Sequence, residues 1–287
     1  MSKAVYAAIG GAAHKSGKIY AAISGVARKV TKGYAVIGGA ARQFYSRGVA
    51  VAYSGSHTVS DLALNGATYT MLTLTGSGTL TLGANAQYWM CGGGGGGSVG
   101  ESTSRGACGG SGGFVASGSL SPGDHVVLLG AGGTSGSAGG DTSIGSIVAS
   151  GAKPYVSKYN EPLGGSGGGA GRSATIPMGA GVSTIPFGAS SFYPHSAGGG
   201  GGGLSASMYR AGGGVGGSNG SDGGEDVSGT AGGEGGNYGG GKGGDPGLQG
   251  SDAYFYGSGG GGGGVNSSTK AAGGSGYQGV VYIIIPN

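Results

Sequence analysis

The feature that most constrains this chain is a broken series of glycine runs between Gly92 and Gly276. The series opens with Gly92 to Gly97 and continues through Gly109 to Gly113, Gly164 to Gly171, Gly198 to Gly203 and Gly212 to Gly217. It ends with Gly232 to Gly244, Gly259 to Gly264 and Gly273 to Gly276. Glycine loses more backbone entropy on ordering than any other residue and has no side chain to bury. Such a composition ordinarily signals a linker or disorder. What lies between the runs is not linker-like: Phe114-Val115, Val126 to Leu129, Ile144, Ile147-Val148, Ile185 to Phe187 and Tyr254-Phe255-Tyr256 punctuate them.

Three backbone answers compete. Collagen needs glycine at every third position with abundant proline; here the glycines cluster and there are only 8 prolines in 287 residues. A flexible Gly/Ser linker lacks apolar punctuation. The third answer is a lattice of polyproline-II helices. Alone, such a helix has no internal hydrogen bonds. Side by side, all-glycine helices approach until each N–H and C=O finds a partner on a neighbour, which satisfies the pairing rule for buried backbone groups. A six-residue run then spans about 19 Å at roughly 3.1 Å per residue. The lattice is the reading adopted over disorder.

Charge is scarce, at 9% of residues, where about 25% is usual. It is also uneven. Met1 to Ser60 carries eight basic residues and no acidic one, whereas Asp61 to Asn287 carries seven basic and eleven acidic. This shift from a basic head to a mildly acidic body marks the domain boundary. The first residues have no apolar h-region, and no apolar run approaches the ~20 residues of a membrane span, so membrane insertion is not expected. Cys91 and Cys108 flank the first glycine run; without a secretory signal, two idle thiols are favoured over a pair.

Residues 5 to 46 repeat with a period of 14. Tyr6, Tyr20 and Tyr34 align, as do Ile9, Ile23 and Ile37, and Gly11, Gly25 and Gly39. Tyrosine and isoleucine favour strands, and Gly-Gly or Ser-Gly suits a tight turn, so each copy reads as a short hairpin. Val49 to Gly55 reads as a fourth, decayed copy. The cations His14-Lys15, Arg28-Lys29 and Arg42 recur at one phase. Two readings stand side by side: a docking or anion-binding ladder, and a solubilising face that blunts strand edges. Nucleic-acid binding is not expected, because a docking role uses the same positions equally well.

In the body, Tyr69 to Thr75 and Thr79 to Leu82 alternate around Gly76-Ser77-Gly78 and predict a β-hairpin. Tyr88 to Cys91 predicts a strand running into the first glycine run. Pro122-Gly123-Asp124 predicts a turn before a strand at His125 to Leu129. Gly139 to Ile144 and Ile147 to Gly151 predict a hairpin-like pair, and Val280 to Ile285 a central buried strand. No stretch has a helical period. The expected fold is all-β and irregular. Residues 1–48 form three hairpin repeats, and residues 49–287 form a small β-base holding a polyglycine-II bundle.

Tyr69 through Cys91 into Gly92 to Gly97, the segment SLSPGDHVVLLGAGG (Ser119 to Gly133), GGDTSIG (Gly139 to Gly145) and the ending GGSGYQGVVYIIIP (Gly273 to Pro286) together resemble the glycine-rich domain of phage tail and receptor-binding proteins. The resemblance covers roughly residues 50 to 287. The architecture is also similar to the polyglycine-II sandwich of tail-fibre tip adhesins in T-even-type phages, and more remotely to the glycine-rich region of anaplastic lymphoma kinase. The 14-residue repeats look like tandem repeats of other phage structural proteins. The resemblance implies a virion protein, made in the host cytoplasm, whose loops bind a host-surface glycan or outer-surface protein.

No enzyme, cofactor or metal site is expected. His14, His57, His125 and His195 lack a nearby carboxylate or nucleophile pattern, and Glu225-Asp226 reads as a solvated loop. No glycine run has the context of a phosphate-binding loop. The candidates for receptor contact are the aromatic loops between runs: Tyr155, Tyr159, Phe192, Tyr193, His195, Tyr209, Arg210, Tyr254, Phe255 and Tyr256. Flat rings on a rigid frame offer contact area with few rotors to freeze. The competing reading is that they cap the lattice, since glycine strands offer nothing else apolar to pack. The docking candidates, toward other virion proteins, are Tyr6, Lys15, Tyr20, Arg28, Lys29, Tyr34 and Arg42. A purely structural virion role, as a head decoration or neck fibre, is the alternative function. Oligomeric state is left open.

Overall fold

The computed structural model describes residues 5–9, 12–16, 20–23, 26–29, 32–37, 40–46, 51–100, 107–153, 186–189, 192, 195, 197, 199, 232–235, 239–266 and 269–286. The chain divides into two units, Met1–Ala50 and Val51–Pro286.

The first unit holds three antiparallel two-stranded hairpins. They are β1 (Val5–Ile9) with β2 (Ala12–Ser16), β3 (Tyr20–Ile23) with β4 (Val26–Lys29), and β5 (Lys32–Ile37) with β6 (Ala40–Ser46). Tyr6 stands opposite Lys15 and Tyr20 opposite Lys29, while Ala21 stands opposite Arg28. In the third hairpin a bulge between Gly33 and Tyr34 sets Tyr34 opposite Gln43 and Ala35 opposite Arg42. The three copies expected from the 14-residue period are thus hairpins. The fourth is not.

Val51–Tyr53 is instead β7, the edge of a body sheet, paired to β10 (Gly78–Leu82). Between them lie β8 (His57–Leu64) and β9 (Ala67–Leu74). After β10 come β11 (Ala86–Cys91), β12 (Val115–Leu120), β13 (Gly123–Leu128), β14 (Thr142–Ile144), β15 (Ile147–Ala149) and β16 (Val280–Pro286). Two five-stranded sheets result, in the orders β12-β11-β16-β9-β8 and β15-β14-β13-β10-β7. Every pairing in them is antiparallel. No α-helix occurs among the described residues, so the fold is all-β.

The sequence-expected hairpin across Gly76-Ser77-Gly78 does not form: β9 and β10 lie in different sheets. The chain crosses between the sheets there, against the β7–β8 link. Thr75 and Gly76 both donate to the Ser56 carbonyl, and a Cβ on Gly78 would lie 2.5 Å from the Gly55 nitrogen. The hairpin is one link earlier, β8 to β9, where Asn65 (φ 50°) and Gly66 (φ 77°) make the turn. Two positive φ angles in a two-residue loop match the right-handed strand twist, and Asn-Gly is the pair that tolerates them.

β16 sits in the middle of the first sheet, buried from Val280 to Ile285. A strand covered on both faces reads as a continuous apolar run, as it does here. The second sheet hides Leu80, Leu82, Val127 and Ile144, and leaves Val126 and Leu128 exposed, so it has one dry and one wet face. On the first sheet Trp89, Cys91, Val280 and Tyr282 form one buried cluster. Leu72, Leu74, Met90 and Ile283 alternate onto the opposite, equally buried face.

Candidate functional site

Threads of glycine leave the sheets directly. Gly92 follows β11, Gly279 precedes β16, and Phe114 precedes β12. The thread Gly92–Ser98 donates all seven of its amides in a strict rotation. Gly92, Gly95 and Ser98 donate to Phe114, Ser111 and Cys108. Gly93 and Gly96 donate to Gly140 and Ser137, and Gly94 and Gly97 to Tyr277 and Gly274. Each step of three along the donor thread moves three back along the acceptor, so these neighbours run antiparallel.

The carbonyls of the same thread serve three further segments. Gly94 and Gly97 accept from Gly133 and Gly136, Gly95 and Ser98 accept from Gly260 and Gly263, and Gly93 accepts from Ala152. This one thread therefore bonds to six others. The thread Gly259–Gly264 repeats the pattern, donating toward Ala197, Gly95 and Ser251, and accepting from Gly110, Gly241 and Gly274.

Buried polar backbone is thereby paired, and at most thread positions only glycine permits the spacing. A Cβ on Gly93 would lie 2.1 Å from the Ala131 oxygen, and one on Gly96 1.9 Å from the Thr134 oxygen.

At the sheet end of the threads an aromatic cluster joins them to the β-base. His195 is fully buried, with its Nε2 2.8 Å from the Tyr282 hydroxyl. Its ring meets Trp89 edge-on at 5.0 Å and Phe255 at 4.8 Å. Phe192 packs edge-on against Tyr282 at 5.1 Å, and Tyr256 against Tyr277 at 5.6 Å. Just beyond His195, the Ala197 amide donates to Ser258 Oγ and its carbonyl accepts from Gly259, which ties this segment to the lattice. Burial raises the Tyr282 phenol far above its ordinary range, with Cys91 and Tyr256 adding smaller pushes. The hydroxyl therefore stays protonated and able to donate to His195.

The far end of the threads is built from tight turns. Ser137 donates to the Thr134 carbonyl, with Gly136 at φ 73°. Leu248 donates to the Asp245 carbonyl, with Gly247 at φ 79°. Thr269 donates to Asn266 Oδ1 at 2.6 Å. The hydrogen bonds Gly136 to Gly97, Gly263 to Ser98 and Gly264 to Leu248 place these turns at one level. This tip exposes Val99, Thr134, Asp245, Leu248, Thr269 and Lys270, with Leu248 61% accessible.

No family model matches this chain, and neither does any curated protein.

The receptor candidates divide accordingly. Phe192, His195, Phe255 and Tyr256 lie at the base rather than the tip: Phe192 and Tyr256 pack against the Trp89–Tyr282 cluster of the first sheet, and His195 meets Trp89 and Phe255. Of these four, His195 is buried and Phe192, Phe255 and Tyr256 are half-buried. Tyr254, in the same base-side turn, is 67% exposed. Tyr155, Tyr159, Tyr193, Tyr209 and Arg210 lie outside the described residues. The docking candidates Tyr6, Lys15, Tyr20, Arg28, Lys29, Tyr34 and Arg42 all fall on described strands.

Sequence reasoning missed the tip turns because they are small and polar. Their signal was parity: a thread that starts at a sheet must end away from it, so the next turn is distal. Cys91 is buried and Cys108 half-buried, and no disulfide joins them. Among the described residues no group of three His, Cys, Asp or Glu is placed to hold a metal.

Proposed function

We propose that the body is a polyglycine-II sandwich serving as a rigid mount in a phage virion attachment protein, with the tip turns presented to the host surface. The observation that carries this reading is the rotation of hydrogen bonds around Gly92–Ser98, with a period of three residues and six neighbouring segments. A polyproline-II helix has three residues per turn and rises about 3.1 Å per residue, so its N–H groups point in three directions in turn. A bundle bonded in all of those directions resists bending, and function carried on loops of a rigid frame is the usual arrangement. The basic hairpins of the first unit dock the protein to other virion components, and the activity is binding, not catalysis.

The test uses virions carrying Leu248→Arg together with Val99→Arg. The expected result is normal particle assembly with host adsorption reduced at least about tenfold, since losing a hot-spot contact costs about 2 kcal/mol or more. Adsorption equal to the unmodified phage overturns the tip assignment.

The packing of Phe192, His195 and Tyr256 against the Trp89–Tyr282 cluster favours a second reading, a purely structural virion component. It expects wild-type adsorption after tip substitutions and loss of assembly after deletion of the hairpin repeats.

A further inference from the structure

We infer that β8 is a self-pairing edge through which two copies of this chain associate, joining their first sheets into one continuous antiparallel sheet. Sheet edges are templates for another strand, and proteins blunt them by shortness, charge, proline or bulges. Two of the other three edges follow that practice by being short. β7 and β15 have three residues each, and β12 has six and contains Gly118. β8 has eight residues, pairs with β9 at eight successive positions without a bulge, and contains no proline, lysine or arginine. His57 to Asp61 are all exposed, and Val59 is 60% accessible although it stands opposite buried Leu72.

The occupant follows from the strand's own sequence. Two β8 strands related by a two-fold axis at Val59 place Val59 against Val59 and Thr58 against Ser60. The same axis places the His57 imidazole opposite the Asp61 carboxylate of the second copy, twice. His57, Val59 and Asp61 alternate onto one face, so that face is its own complement, as a two-fold interface requires. Opposite-charge and β-branched cross-strand pairs stabilise a sheet, and like charges directly opposite destabilise it. His57 is already oriented, with Nδ1 2.9 Å from the Gly55 carbonyl and its ring edge-on to Tyr53. A single strand pair lies at the small end of specific interfaces, so the expected dissociation constant is on the order of micromolar. The inference is independent of the attachment reading.

The experiment is sedimentation equilibrium of the full chain over a wide concentration range. The expected result is a rise from monomer toward twice the monomer mass. Val59→Lys, at an exposed position, weakens association at least about tenfold by setting two ammonium groups opposite each other. His57→Asp weakens it as well, and His57→Asp with Asp61→His restores it by exchanging the pair. A chain that stays monomeric throughout overturns the inference. So does an assembly larger than a dimer, or an association indifferent to Val59→Lys. Circular dichroism identical to the parent establishes that each variant is folded.

Discussion

The amide of Gly94 donates to the carbonyl oxygen of Tyr277 at 2.9 Å, joining the first thread of the lattice to the last. A Cβ on Gly94 would lie 1.9 Å from the Ser258 oxygen, which is backbone and cannot swing aside. One residue on, a Cβ on Gly95 meets nothing closer than the Ala152 Cβ, at 3.3 Å. Gly94→Ala is therefore expected to cost at least about 2–3 kcal/mol through overpacking. Gly95→Ala stays within about 1 kcal/mol, since its crowding is offset by a less disordered unfolded chain. Chemical denaturation of the two variants checks this. Equal sensitivity at both positions would remove the argument from thread spacing.

Tyr282→Phe removes the hydroxyl facing His195 Nε2, inside a site with no solvent access at His195. Losing one partner of a buried hydrogen bond costs about 1–3 kcal/mol. The variant should unfold at correspondingly lower denaturant while keeping the same tip.

Alkaline pH separates the same residue from the others. The folded-state pKa of Tyr282 is raised by burial. Its stabilising contribution is fully present below the unfolded tyrosine value near 10 and is lost as pH climbs above that value. Tyr53 and Tyr256 are raised in the same direction by burial. Above about pH 10 the protein should lose up to about 1.4 kcal/mol per pH unit through Tyr282, and solvent screening leaves half-exposed Tyr53 and Tyr256 a much smaller share. Tyr282→Phe should show a shallower alkaline slope, read by stability measured at stepped pH.

Gly66 has φ 77°, and nothing lies within 4 Å of a Cβ built there. Gly66→Ala consequently acts through backbone strain alone, costing about 1–2 kcal/mol. Gly66→Asn, with a residue that visits the left-handed region more readily, should recover part of that loss in thermal unfolding.

The sheets were legible where one strand's pattern decided its own fate. Val280 to Ile285 is apolar at every position because β16 is covered on both faces, and Ile144 and Ile147 close a hairpin around Gly145. Pairing between strands was less legible. Gly76-Ser77-Gly78 has the composition of a turn, but its glycines are needed where two backbones cross between sheets. The Asn65-Gly66 turn was a readable signal that went unused. The aromatic residues were legible as a group, but their placement at the base was not. Glycine threads bury few and mostly small side chains of their own, and rings such as Phe192 and His195 pack where the threads meet the β-base. The tip carries Thr134, Leu248 and Thr269, whose chemistry is ordinary and whose position follows only from the direction of the threads.

Native-state amide hydrogen exchange at Gly93 to Gly97 tests the central claim most directly, since every one of these amides is donated to a neighbouring thread. The account predicts that they exchange as slowly as the amides of β16, opening only with the whole body. Exchange at the rate of an unstructured glycine peptide, with β16 still protected, would contradict it.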